Sequence, residues 1–341
     1  MVTSALSSIG GAGPLHLPGS MPTSEHLILI LAAFLLDLFL GDPLYRWHPI
    51  RLLGDWSLAW ERLLFRLGWS GRAGGVVHWL IVVGGALAAW WLVRAGLAAL
   101  HPWLAAGWDL FLAYSLLCLR DLLDHGHRVL AKLDDLPAAQ EQLRWLVGRD
   151  TDRLDRGGVV RATIESLAEN LTDGVLTPLW ALCLFGLPGL IVVKAVSSLD
   201  SMVGNRTPRY ARFGWAGARS DDLAHWLPAR LSVPLIALAA WLLREHPRLA
   251  VHSALRDHGR LPSPNSGWSE AAFSGALRVR LLGPIDKHGV RVNEEYMGEP
   301  DWPAHLGADD LRRGLRLTLA AGLLALPVGL ALLPLGSLAL R

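Results

Sequence analysis

Apolar residues run along this chain in long blocks rather than in short alternation. Six blocks stand out: His26–Leu40, Val76–Val93, Trp103–Leu119, Val175–Val196, Leu227–Leu243 and Leu315–Leu340. A helix needs about 20 mainly apolar residues to cross a bilayer, and the period-two pattern of a strand is not convincing anywhere. The expected fold is all-α: a polytopic integral membrane protein with four to six membrane segments and polar helical stretches in the cytoplasm. Only Arg94–Pro102 joins the second block to the third, which predicts an antiparallel helical hairpin. Two blocks are interrupted: Gly186-Leu187-Pro188-Gly189 splits Val175–Val196, and Pro228, Arg230 and Pro234 fall in the Leu227–Leu243 region. Broken helices are tolerated at membrane depth where protein or a wet cavity covers the freed backbone. These two blocks are therefore expected to be broken or re-entrant.

Basic residues set the expected orientation. Residues 1–25 carry no Lys or Arg, which places the amino terminus outside, whereas the Arg-bearing stretches 41–75 and 120–174 belong in the cytoplasm. Single spans would then put the basic stretch 198–226 outside; a dip and return at the Gly-Pro break removes the conflict. Residues 1–24 lack the basic region of a signal peptide and are expected to be a disordered leader, with Met21 a candidate start and Ser24 the N-cap of the first block. Residues 25–341 form a single membrane-embedded domain, with a polar lobe over about 244–314 and a short hairpin around Ile285–Val292.

Composition narrows the class. Hydrophobic residues make up 52%, charged residues 18%, and the mean hydropathy is +0.33, against about 25% charged in soluble domains. A net charge of +2 gives no general attraction to polyanions, so nucleic acid is excluded as a partner. Sixteen Trp suit a chain with many residues at the lipid–water boundary. Cys118 and Cys183 sit in apolar sequence and make neither a CxxC site nor a disulfide framework. P-loop, HExxH, GxSxG and Rossmann fingerprints are absent.

The chemistry concentrates in four stretches. In VVRATIESLAENLTDGVLTP, Glu165, Glu169 and Asp173 follow at four-residue spacing, which on an α-helix puts all three within roughly 80° of one face. Like charges so placed repel and call for a divalent metal or arginines, with Asn170 able to add a ligand; the plainer alternative is a solvated acidic face. In Ser197–Arg230, Asp200, Asp221 and Asp222 interleave with Arg206, Arg209, Arg212, Arg219 and Arg230. Carboxylates hold Mg²⁺ together with substrate phosphates, and guanidinium forks grip phosphate; the alternative is membrane anchoring with surface ion pairs. SPNSGWSEAAFSGALRVRLLG offers Asn265 and Glu270, and LDLFLGDPLYRWHPIRLLG offers Asp37, Asp42, Arg51 and His48, the last a substrate contact or a turn residue.

The pieces LDLFLGDP…HPIRLLG, IESLAENLTDGVLTP, SSLDSMVGN, FGWAGARSDDLAHWLPARL and SPNSGWSEAAFSGAL occur in one order over roughly residues 26–300. In that order they resemble the CobD/CbiB family of adenosylcobinamide-phosphate synthases. The resemblance implies an integral protein of the cytoplasmic (inner) membrane, active site toward the cytoplasm, in contact with membrane lipid and with other late-pathway cobalamin enzymes. It implies an ATP-dependent amide ligation of adenosylcobyric acid with 1-aminopropan-2-ol or its O-phosphate: a corrinoid as substrate, ATP as co-substrate and Mg²⁺ as cofactor. Residue chemistry then suggests Glu165, Glu169, Asp173, Asp200, Asp221 and Asp222 as Mg²⁺ ligands. Glu165, Glu169, Asn170 and Asp173 form the expected catalytic set, with Glu169 taking the proton of the attacking ammonium. His48, Arg206, Arg209, Arg219, Arg230, Asn265 and Glu270 are expected to contact substrate or phosphate. Competing readings are an AmpE-like membrane signalling protein, a membrane transferase acting on lipid-linked phosphates, and a transporter.

Overall fold

A computed structural model describes residues 23–41, 45–205, 207–287 and 290–339. Most of the expected leader, together with Asp42 and Arg206, lies outside the described residues. The chain folds into helices α1 (Thr23–Leu40), α2 (Pro49–Arg66), α3 (Arg72–Leu100), α4 (Pro102–Ser115), α5 (Leu119–Lys132), α6 (Leu136–Leu143), α7 (Arg156–Asn170) and α8 (Thr177–Leu199). There follow α9 (Trp215–Leu242), α10 (Pro247–Asp257), α11 (Ser266–Leu277) and α12 (Ala308–Ala339). Among the described residues, five helical stretches are long and apolar enough to cross a membrane: Arg72–Leu100, Pro102–Lys132, Arg156–Gly204, Trp215–Leu242 and Ala308–Gly336. The protein is thus a mostly helical, polytopic membrane-type chain.

Local chemistry sets several helix starts. His48 Nδ1 accepts the Ile50 N–H at 3.2 Å and Pro49 occupies the first turn of α2, so His48 is an N-cap. Asp155 Oδ1 caps α7 by accepting the Gly158 N–H at 2.7 Å. Ser24 is not a cap, because α1 already begins at Thr23.

The Arg156–Gly204 stretch is not one straight rod. Gly186 has φ 65° and ψ −163°, a conformation in essence open only to glycine. The chain reverses there: a Cβ on Gly189 would stand 2.9 Å from the Ala181 carbonyl oxygen, eight residues back. Pro188 then sits in the first turn of the returning limb, where its missing N–H costs nothing. The result is a helical hairpin whose two ends, Asp173 and Asp200, interact electrostatically although 27 residues apart. The chain turns back at the Gly-Pro break, as the sequence suggested. Replacing Gly186 by Ala is expected to cost ~1–3 kcal/mol and to open the turn; protease resistance of the detergent-solubilised protein measures it, and unchanged resistance counts against the hairpin.

Helix α12 lines the hairpin through small residues. Gly329 faces Cys183 and Trp180, and Gly336 lies against the Leu184 carbonyl, so close that a Cβ there would stand 2.1 Å from that oxygen. Trp180 Nε1 donates to the Ala325 carbonyl at 2.9 Å.

The 244–314 stretch, polar in composition, contributes to the main core. Helix α11 is buried almost along its whole length, and Ala271, Ala272, Phe273, Ala276 and Leu277 join the central apolar cluster. It packs against α10, α9 and α7. Beyond it, β1 (Leu281–Leu282) pairs antiparallel with β4 (Tyr296–Met297), and β2 (Ile285–Lys287) with β3 (Val290–Asn293), which is the expected short hairpin. Asp257, fully buried, fastens this region. It accepts from Arg256 Nη2 at 2.7 Å and from the Gly298 N–H at 3.0 Å, and pairs with Arg260 at 3.0 Å. Burial alone pushes the Asp257 carboxyl up; those hydrogen bonds and charges outweigh it and hold it below the usual carboxylate range.

Candidate active site

The site grows from two irregularities in the hairpin stretch. Leu171–Leu176 and Asp200–Gly204 are π-helical, one at the foot of each limb. The wider turn closes i to i+5 contacts, as where Thr177 Oγ1 donates to the Thr172 carbonyl at 2.9 Å. Such segments are frequent at functional sites because the extra residue re-aims its neighbours. Asp173 lies in the first and Asp200 in the second. In the second, Gly204 leaves room for the Asp200 carboxylate: a Cβ there would stand 1.9 Å from Asp200 Oδ1.

Helix α9 starts beside these feet and adds three more groups. Asp221 Oδ1 accepts from Ser197 Oγ at 2.9 Å, tying α9 to α8. His225, one turn on and buried, lies with Nδ1 2.9 Å from the Asp221 carbonyl and 3.2 Å from Asp221 Oδ1. Its Nε2 stands 3.9 Å from Asp173 Oδ1. Both of those atoms are buried and, among the described residues, neither has a hydrogen-bond partner. Asp222 pairs loosely with Arg219 at 3.4 Å, and its backbone carbonyl accepts from Asn265 Nδ2 at 2.8 Å, which leaves Asn265 Oδ1 buried and without a partner.

The two acids expected to share a face with Asp173 do different things. Glu165 is buried and satisfied: Oε1 accepts the Leu282 N–H at 2.7 Å, and Oε2 pairs with Arg149. Glu169 remains open to solvent. A π turn begins right after α7, and all three acids lie within electrostatic reach of Glu270. Asn170 donates to the Ser166 carbonyl at 2.9 Å and Oγ at 3.2 Å, a local helix contact.

Electrostatic contact links the carboxylates into a belt. Glu270 feels Glu169, Glu165 and Asp173; Asp173 feels Glu169, Asp221 and Asp200; Asp200 feels Asp221 and Asp222. Seven carboxylates from α7, the two π segments, α9 and α11 thus face Arg149 and His225, neither of which the sequence patterns singled out. Arg149 sits in a loop with no periodicity. His225 left a faint trace, four residues after Asp221. Burial disfavours the Arg149 charge, yet Glu165 beside it, and Glu270 and Glu169 beyond, hold its proton more tightly than usual.

Glu270 is buried and accepts no hydrogen bond among the described residues. Burial, then the charges of Glu169 and Glu165, push its carboxyl well above the usual range, against the pull of Arg149. Native Glu270 therefore keeps its proton at pH values where the unfolded chain has lost it, so stability falls as pH rises from the unfolded value of about 4.3 toward the native one. Glu270→Gln is expected to be more stable than wild type at pH 8 and to lose that part of the slope. Thermal unfolding in detergent between pH 5 and 8 tests this; identical slopes would refute it.

Other expected contacts lie elsewhere. Arg209 is drawn to buried Glu61 of α2, with Nη2 at 2.7 Å and Nε at 3.1 Å, and rests over Phe65. Arg230 lies over Trp226 at 4.1 Å and Trp268 at 5.2 Å, and donates to the Trp226 carbonyl. Arg219 is engaged with Asp222, and His48 caps α2. These side chains have packing or pairing partners, where sequence chemistry suggested phosphate.

The donors suit a hard cation. They are carboxylate and amide oxygens, and among the described residues buried Asp173 Oδ1 and Asn265 Oδ1 have no hydrogen-bond partner. Among the described residues no three His, Cys, Asp or Glu stand together as a finished metal cage. Mg²⁺ does not require one, since it usually keeps waters and takes one or two carboxylates plus substrate phosphates.

Fold and site together define a class: a polytopic, membrane-type helical protein with a group of carboxylates gathered at the feet of a helical hairpin. The chain matches the model of the family described as CobD/Cbib protein over residues 30–318. It is 43% identical over 302 residues to Cobalamin biosynthesis protein CobD of Yersinia enterocolitica, covering 86% of this chain and 93% of that one. Cobalamin biosynthesis protein CbiB of Salmonella arizonae is 38% identical over 304 residues, covering 88% and 95%. No solved structure matches. The chain belongs to the CobD/CbiB family.

Proposed function

We propose that this protein acts in cobalamin biosynthesis as an amide-forming synthase of the cytoplasmic membrane. It joins the free propionate carboxylate of adenosylcobyric acid to the amine of 1-aminopropan-2-ol or its O-phosphate, with ATP as co-substrate. The observation that carries the reading is the belt of seven carboxylates, Asp173 among them, around His225 and Arg149, on a chain of this family. A signalling role does not call for such a belt beside the membrane.

A carboxylate is a poor electrophile, so the corrinoid acid must be activated by phosphoryl transfer, which needs charge stabilisation around the transferring group. Asp173, Asp200, Asp221 and Asp222, with Glu169 at the open rim, would hold Mg²⁺; its contribution is to offset phosphate charge. Glu169, solvent-accessible and acceptor-rich, takes the proton of the incoming ammonium. His225, held by Asp221 through Nδ1, presents Nε2 to Asp173 and steadies that carboxylate. Arg149 fixes Glu165, and through it α7, against the strand after α11.

The test is direct. Washed membranes bearing the protein are supplied with adenosylcobyric acid, aminopropanol phosphate, Mg²⁺ and ATP, and corrinoid products are separated. Adenosylcobinamide phosphate formed only when ATP is present is expected. Unchanged cobyric acid, with turnover of a lipid phosphate instead, would favour a membrane transferase.

A further inference from the structure

ATP, and the amine in its O-phosphate form, carry phosphoryl groups, yet the described arginines expected to hold phosphate are engaged elsewhere. One basic cavity near the acid belt is not. It measures about 490 Å³, within the usual range for small-ligand sites, and is bounded by Tyr45, Arg46, Arg51, Asp55 and Met202. Arg46 and Arg51 are both exposed, and among the described residues neither makes an ion pair; Arg46 only rests on the Trp47 ring, 5.4 Å from its centre. The Tyr45 hydroxyl is buried and, among the described residues, has no hydrogen-bond partner. Among the described residues the wall carries two cations, Arg46 and Arg51, against one anion, Asp55.

Its position connects it to the chemistry. Met202 lies in the π segment that carries Asp200, two residues further on, and its sulfur lies 3.6 Å from where a Gly54 Cβ would be. Helix α2, which carries Arg51, is locked to that segment: Glu61 takes Arg209, and Leu64 packs with Val203 and Phe213. Arg209 therefore ties α2 to the turn that follows this segment.

We propose that the Tyr45–Arg46–Arg51 cavity binds a phosphoryl group of a substrate in the reaction proposed above, on which this inference rests. The two guanidinium groups supply charge-assisted donors and the Tyr45 hydroxyl a third donor. The phosphate belongs either to the amine substrate or to ATP, and separate titrations tell them apart.

The experiment uses the full-length protein in detergent. Equilibrium dialysis measures binding of aminopropanol phosphate, unphosphorylated aminopropanol and ATP, each alone, to wild type, Arg46→Gln/Arg51→Gln and Tyr45→Phe. Exposed Arg46 and Arg51 permit folding of the double variant, which size-exclusion profile and helical content check. At least 10-fold weaker binding of one phosphorylated ligand is expected, with aminopropanol unaffected; loss for the amine phosphate assigns the cavity to the amine, loss for ATP to the nucleotide. Tyr45→Phe is expected to weaken the same ligand by a smaller factor. Wild-type affinity for both phosphorylated ligands in the double variant overturns the proposal. Amide formation by wild type is scored separately: if it occurs and binding is arginine-independent, only the cavity assignment falls, whereas arginine-dependent binding without amide formation removes the reaction and leaves the anion site.

Discussion

Asp173→Asn is expected to lower the proposed formation of adenosylcobinamide phosphate in washed membranes by at least about 100-fold, the scale on which catalytic proton-transfer and charge-stabilising groups act. Asn matches Asp in shape, so the substitution leaves the π segment Leu171–Leu176 in place and removes only charge and basicity. The carboxylate is well placed to matter. Its buried Oδ1 has no hydrogen-bond partner among the described residues, His225 Nε2 stands 3.9 Å away, and Glu169, Asp221 and Asp200 all lie within electrostatic reach. A carboxylate placed there only for structure would be hydrogen-bonded, as Glu165 is. Corrinoid products are quantified against membrane protein level by immunoblot; turnover near wild type removes Asp173 from the reacting groups.

Arg149→Gln is expected to cost stability more than any other single change near the site. Glu165 is only 2% exposed, and its partner Arg149 is 17% exposed. Removing one member of a buried ion pair leaves the other uncompensated, typically ~3–5 kcal/mol, and the partial exposure of Arg149 places this case at the lower end. Glu165→Gln is milder, because the amide oxygen still accepts from Leu282 N–H. In the double variant Arg149→Gln/Glu165→Gln the loss is smaller than the sum, since no buried charge is left unpaired. Unfolding followed by helical signal in detergent provides the cycle, and additive losses would show that the pair is not the cause.

The sequence was most legible where one local rule acts alone. Apolar block length marked the membrane stretches, and Gly186-Leu187-Pro188 marked the reversal, because only glycine tolerates the backbone found at Gly186. Asp200, Asp221, Asp222 and Glu270 were named from chemistry, and the fold places them with Glu169 and Asp173. Less legible were the partners. Arg209, Arg219 and Arg230 look alike in sequence, but a buried carboxylate, a neighbouring Asp and a Trp pair claim them in turn. Such competition depends on which long-range neighbour reaches each guanidinium first. The polar average of 244–314 likewise hid that α11, a helix of small residues, joins the central core.

By itself the sequence determined the solvent each segment requires, since a long apolar block fails in water and a charged one fails in lipid. It also determined which residue types were available for phosphoryl and amide chemistry. Only the tertiary structure decided that Asp173 and Asp200 meet, that His225 and Arg149 stand among the acids, and that Arg46 and Arg51 are left facing a cavity. The reason is physical: periodicity reports the face of one helix, whereas a site made from several helices depends on where the chain turns back and how closely small residues let those helices approach.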